Sequence, residues 1–131
     1  MANVSRCNPN RRWASCSVVL AGNVGIRAVH AAQLGADRST DVISFAYPPE
    51  ATVAGWHGEV IVNRDRARVA GMRHEGRAAE LALYIAHGCH HLSGADDATP
   101  ALRRAMRRTE RVWLQQADRD GLVSPLWPEP L

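Results

Sequence analysis

Lysine is absent: all sixteen basic residues of the 131-residue chain are arginine, set against thirteen acidic residues for a formal charge of +3. A guanidinium presents a planar fork that suits phosphate better than an ammonium does, so this bias is compatible with a nucleic-acid partner. A GC-rich coding bias, which also favours alanine and glycine, accounts for it equally well. Cysteine is scarce too, with Cys7, Cys16 and Cys89 sharing no CxxC spacing. That excludes a disulfide framework and a cysteine-based zinc site, and it suits a reducing compartment. No apolar run approaches the roughly 18 residues of a membrane span, and the polar start, with Arg6, Arg11 and Arg12, leads into no secretory h-region. A cytoplasmic protein with no membrane partner is expected.

What is there is ordinary globular material, 46% hydrophobic and 22% charged. The length suits a single domain over residues 1–131, with 1–12 and 121–131 reading as tails, although Leu126 and Trp127 could pin the second to the surface. Cys16 to Ala21 is apolar and β-branched, a strand ended by Gly22 and Asn23, and a short helix is expected over Val24 to Gln33. Asp41 to Tyr47 alternates and stops at Pro48-Pro49, and Gly58 to Asn63 is a third strand. Arg64 to Arg73 is helix-compatible, and Gly76 separates it from a strongly apolar helix over Arg77 to Leu92. Thr99-Pro100 supplies an N-cap and a first-turn proline for a last helix to about Ala117. Its Leu102, Met106, Thr109 and Trp113 predict one buried stripe, with Arg103, Arg104, Arg107, Arg108 and Arg111 outside. The fold class is α+β.

The chemistry is concentrated in residues 87–97. His87 and His91 are four apart on the apolar helix, so both imidazoles leave the same face and can share one metal ion. Gly94 lets the chain reverse, and three residues later Asp97 can return to the same ion. The result is two nitrogens, one carboxylate oxygen and a fourth place for water. H-x3-H-x2-G-x2-D is thus a catalytic zinc pattern, with one zinc ion per chain expected. Metzincin proteases use this spacing with a glutamate after the first histidine as general base. Gly88 stands there, and Glu80 lies about 10 Å down the helix axis, which argues against a peptidase. His90 points about 100° away from His91, so a structural role is expected of it, as surface roles are of His30, His57 and His74. Cys89 lies off the ligand face.

Three blocks in order resemble the YbeY family, metal-dependent endoribonucleases of ribosomal RNA maturation. Ser39-Thr-Asp-Val-Ile-Ser-Phe45 is similar to the family's PTDVLSFP strand, Gly58-Glu-Val-Ile-Val62 to its GDIVI strand, and residues 87–97 to its HGxLHLxGYDH signature. The resemblance covers about residues 16–117. It implies a small mixed β-sheet packed against several helices, a zinc-hydrolase-like cleft, and single-stranded ribosomal or precursor RNA as substrate, with ribosomal subunits as a further partner. The expected activity is phosphodiester hydrolysis by a metal-activated water in ribosomal RNA maturation and ribosome quality control.

Carried over, His87 and His91 match the first two metal ligands and Asp97 takes the place of the family's third histidine. Asp96 matches the aspartate before that ligand and is expected to orient a neighbouring group. The family's phosphate-binding arginine, followed by glycine, falls on Leu34 before Gly35. Arg38 is the expected substitute in catalysis, with Arg27 as a second source of charge. Thr40 and Ser44 are expected to hydrogen-bond RNA backbone. The family's usual first strand and helix have only a short polar leader here, so either the sheet is smaller or the leader packs through Trp13. A degenerate homologue that only binds RNA or ribosomes, and another zinc hydrolase, are the alternative readings.

Overall fold

A computed structural model describes residues 2–3, 11–35, 40–50 and 54–128. Strand β1 is Ala2–Asn3, β2 Trp13–Ala21, β3 Val42–Tyr47 and β4 Trp56–Asn63; the helices are α1 Asn23–Leu34, α2 Arg64–Gly71, α3 Arg77–Leu92 and α4 Pro100–Arg119. The four strands form one sheet in the order β1-β3-β4-β2. β2 runs parallel to β4, while β3 is antiparallel to both β4 and β1. This is the α+β fold with a small mixed sheet. Among the described residues no helix is long and apolar enough to cross a membrane.

The two central strands are apolar because both faces are covered. Val60, Val62 and Ala46 are fully buried, and Ile43, Phe45 and Ile61 nearly so. They join Ile26 of α1 and Leu81, Tyr84 and Leu92 of α3 in one core. The edge strand β2 instead leaves Val18, Val19 and Leu20 largely exposed, while Trp13 at its start packs on the core.

α3 presses onto this sheet at one residue. A Cβ built at Gly88 would lie 2.6 Å from Val60 Cγ1 and 2.9 Å from both Val42 Cγ2 and Ser44 Oγ. The Ser44 hydroxyl donates to the Gly88 carbonyl at 3.1 Å. Glycine is therefore required between the two histidines for the helix to reach the strands, which explains why no general-base glutamate stands there. Gly88→Ala should destabilise the fold by about 1–3 kcal/mol, the usual range for overpacking a filled core. An urea-melt midpoint equal to wild type would contradict this reading.

Caps set the helix ends. The buried Asn63 accepts from the Arg66 amide to start α2, and its amide group donates to Asn23 Oδ1 at 2.7 Å and the Thr40 carbonyl at 3.0 Å. One side chain thus ties three segments together. Thr99 accepts from the Leu102 amide at 3.1 Å with Pro100 in the first turn, as the sequence predicts. Gly94 takes φ 102°, the left-handed side of backbone space, and turns the chain after α3.

The expected stripe of α4 needs correction, while the described ends of the chain meet the fold: Ala2–Asn3 pairs with β3, and the Trp56 amide donates to the Arg12 carbonyl at 2.7 Å. At the other end Val123 is buried, and Trp127 lies beneath the Arg64 guanidinium at 4.8 Å from its ring centroid. The buried stripe of α4 is different. Of Leu102, Met106, Thr109 and Trp113 only Met106 is buried, whereas Glu110 is 1% exposed. Counting apolar residues cannot find a helix face that turns a carboxylate inward.

Candidate metal centre

The spacing of His87 and His91 on α3 puts their Nε2 atoms 3.1 Å apart, with the rings nearly perpendicular. After the Gly94 turn, Asp97 Oδ2 comes to 3.6 Å from His87 Nε2 and 3.5 Å from His91 Nε2. These three residues are the one group of potential metal ligands found among the described residues. Zinc bonds of 2.0–2.2 Å at tetrahedral angles separate neighbouring ligand atoms by about 3.3–3.6 Å. The observed triangle has nearly that size before any ion is considered.

The other ring nitrogens fix the tautomers. His87 Nδ1 donates to Glu110 Oε2 at 3.0 Å, and His91 Nδ1 donates to the Ala95 carbonyl at 3.1 Å. With both protons held at Nδ1, each neutral imidazole turns an Nε2 lone pair toward the other and toward Asp97. Lone pairs that close repel unless a cation lies between them, and the donor set of two imidazoles and a carboxylate suits a divalent ion such as zinc. A carboxylate behind a ligating histidine is also the arrangement that orients such ligands and raises their basicity.

Glu110 is the residue that sequence reasoning missed. Its Oε2 accepts from His90 Nδ1 at 2.9 Å as well as from His87, so one buried oxygen joins two turns of α3. The His90 ring in turn packs edge-on against Trp113, with centroids 4.6 Å apart. His90 is thus a structural partner and not a ligand, in line with its angle on the helix. The only sequence signal was Glu110 at four residues from Met106, on the face where an apolar residue was due.

Charge balance follows from this contact. The Glu110 hydrogen bond holds His87 above its ordinary value of 6.5, against the opposing effect of burial. Burial would raise the Glu110 carboxyl, but the bonds from His87 and His90 outweigh it and hold that carboxyl below its ordinary 4.5. In the metal-free protein the His87 contribution to stability is complete below 6.5 and fades as pH rises through its raised value. The Glu110 contribution is complete above 4.5 and is lost as pH falls through its lowered value. Metal has the opposite pH preference, because it needs His87 unprotonated. Metal affinity should therefore fall steeply with acid while the metal-free protein keeps its Tm between about pH 4.5 and 6.5. Calorimetry of both forms across that window checks it; affinity independent of pH would overturn it.

The remaining expected site residues are placed differently. Asp96 is exposed, and its Oδ1 accepts from the Ala98 amide at 2.9 Å, shaping the turn that delivers Asp97. Thr40 donates to Asp41 Oδ1 at 3.2 Å, and Ser44 to Gly88. Both hydroxyls, of which RNA contacts were expected, donate within the fold. Arg27 is exposed on α1. None of these three lines the cleft that holds His87 and Asp97. Arg38 lies outside the described residues. The arginines that do line the cleft include Arg103, Arg107 and Arg111 of α4, which the sequence placed on an outer face.

Cys89 lies behind the site, where burial and the neighbouring Cys16 push its thiol up to about 11, so it is held as a neutral thiol. Glu80 accepts from His74 Nδ1 at 3.0 Å, a contact that joins the α2–α3 connection to α3.

A family model described as Endoribonuclease YbeY matches residues 2–118. An Endoribonuclease YbeY of Anaeromyxobacter sp. (strain Fw109-5) is 37% identical over 114 residues, covering 86% of this chain and 58% of the relative. That of Chlorobaculum parvum is 35% identical over 103 residues, covering 78% of this chain and 71% of the relative. The solution structure of TM1509 from Thermotoga maritima superposes with a TM-score of 0.54 at 22% identity, covering 76% of this chain and 65% of that one. That likeness concerns the fold. The chain spans little more than half, 58%, of the length of the Anaeromyxobacter relative.

Proposed function

The chain belongs to the endoribonuclease YbeY family, and from that premise we propose that it is a metal-dependent endoribonuclease that hydrolyses phosphodiester bonds of single-stranded ribosomal or precursor RNA in the cytoplasm. One zinc ion held by His87, His91 and Asp97 is the proposed cofactor, and RNA carried on ribosomal subunits is the proposed setting. The observation that carries the reading is the convergence of two Nε2 atoms and Asp97 Oδ2 within 3.1–3.6 Å, with both Nδ1 protons committed elsewhere.

The parts played by the chain's own groups follow from that geometry. His87 and His91 offer neutral nitrogens at fixed angles, and Asp97 adds a negative charge that offsets part of the ion's. When bound, such an ion polarises a phosphoryl oxygen and lowers the pKa of a coordinated water toward 7. Glu110 keeps the His87 proton on Nδ1, so the ligand does not rotate or change tautomer. Asp96 adds one hydrogen bond, from the Ala98 amide, to the turn that carries Asp97, which would hold the ion. Arg38 remains the proposed source of positive charge near the scissile phosphate from the segment before β3.

The reading is tested by cleavage of an end-labelled single-stranded ribosomal RNA fragment. Activity is expected to vanish in excess chelator and to return with added zinc. Cleavage that persists in chelator would dismiss the metal mechanism, and a chain that binds the RNA without ever cutting it would be a binding homologue instead.

A further inference from the structure

The α4 arginines supply no ligand atom to the metal centre, yet three of the five between residues 103 and 111 line the same cleft. Arg103, Arg107 and Arg111 are four residues apart, so they share a helix face and succeed one another about every 6 Å along the axis. All three line the cleft together with His87 and Asp97, whereas Arg104 and Arg108, turned about 100° away, do not. The Arg103 Nη1 donates to the Asp97 carbonyl at 3.2 Å, which places that guanidinium at the ligand loop. Arg107 and Arg111 are exposed and hold no hydrogen bond or ion pair among the described residues.

None of the cleft's carboxylates forms an ion pair with these arginines among the described residues. Glu110 accepts from His87 and His90, Glu80 from His74, and Asp41 from Thr40 and the Val42 amide. Two uncommitted guanidinium forks, Arg107 and Arg111, therefore continue the row that Arg103 begins at the ligand loop, beside a site suited to a phosphate-activating ion. Their rise along the helix is close to the distance between successive phosphates of an extended strand. Forks of this kind bind phosphate oxygens in pairs.

We propose that Arg103, Arg107 and Arg111 form a phosphate track that holds the backbone of a single RNA strand, with the bond to be cut beside His87, His91 and Asp97. The track rests on the endoribonuclease reading and adds which residues grip the substrate. It also extends the grip: the chain has Leu34 where the resemblance called for an arginine, and α4 supplies charge along the strand beyond the Arg38 proposed at the scissile phosphate.

The test compares two double variants with equal loss of charge, R107Q/R111Q on the cleft side and R104Q/R108Q on the outer side. Binding of a fluorescent single-stranded RNA is followed by anisotropy at several salt concentrations, using zinc-loaded protein. R107Q/R111Q is expected to weaken binding about tenfold or more at low salt and to lower the slope of log affinity against log salt by about 1.4, the share of two phosphate contacts. R104Q/R108Q should stay within about twofold of wild type, since distant exposed charges are screened. Zinc content should be equal in all three proteins, which separates lost grip from lost fold, and the single variant R111Q should show about half the slope change. Equal weakening by both pairs would reduce the track to diffuse charge, and binding by R107Q/R111Q equal to wild type would remove it. If wild type cuts the RNA while R107Q/R111Q cuts with unchanged KM, the track alone fails. If wild type neither binds nor cuts, the endoribonuclease reading fails and takes the track with it.

Discussion

Asp97→Ala is expected to leave the purified chain without zinc, where the unaltered protein should carry about one ion per chain. The carboxylate supplies the third corner of a triangle whose other two corners are set by α3 alone. Without it two imidazoles 3.1 Å apart remain, too few to retain the ion against water or buffer. His91→Ala should do the same from the other side. RNA cleavage should fall with the metal, by about a hundredfold or more if the ion supplies several kcal/mol of charge stabilisation. Asp96→Ala is the control, because its oxygen serves the Ala98 amide and not the triangle. That variant should keep its zinc and lose only the turn's hydrogen bond, about 1 kcal/mol. Elemental analysis of the unaltered protein and the three variants decides the matter, and full zinc occupancy in Asp97→Ala would undo the ligand assignment.

Replacing Glu110 should have the next largest effect. Glu110→Leu removes the acceptor of two Nδ1 protons, so His87 is free to rotate or to move its proton to the ligand nitrogen. Loss of a carboxylate behind a ligating histidine typically costs about 10–100-fold in metal affinity. The variant also leaves two part-buried N–H groups without a partner, at about 1–3 kcal/mol each in stability. Glu110→Gln separates the two effects. Its carbonyl oxygen can still accept from both rings but brings no charge, so the fold should largely recover while zinc affinity stays below wild type. Competition against a chromophoric chelator reads the affinity and a thermal melt the fold. Equal zinc affinity in wild type and Glu110→Leu would show that His87 needs no help.

Most of the strands and helices were legible because their signals are local. Alternation in β3, the Thr99-Pro100 start of α4 and the glycine turn at Gly94 depend on neighbours a few residues away. The triad was legible for the same reason, since three ligands fall within one helix end and one turn. Glu110 was not: its partners are 20 and 23 residues distant, and a glutamate among arginines reads as part of a solvated helix face. Gly88 was noticed for the glutamate it displaces, but its reason lies in Val42, Ser44 and Val60, on strands that only the fold brings beneath α3. The arginines of α4 were assigned to solvent because a sequence shows which residues share a helix face but not what that face overlooks.

The position of Glu110 also orders events in time. Both imidazoles and Asp97 leave the ribosome before the carboxylate that fixes His87, and so do β3 and β4, on which α3 rests at Gly88. A nascent chain halted after Asp97 has all three residues of the candidate triad but not the carboxylate that fixes His87. If the triad takes a metal as proposed, high-affinity capture follows the docking of α4 and cannot precede the synthesis of Glu110.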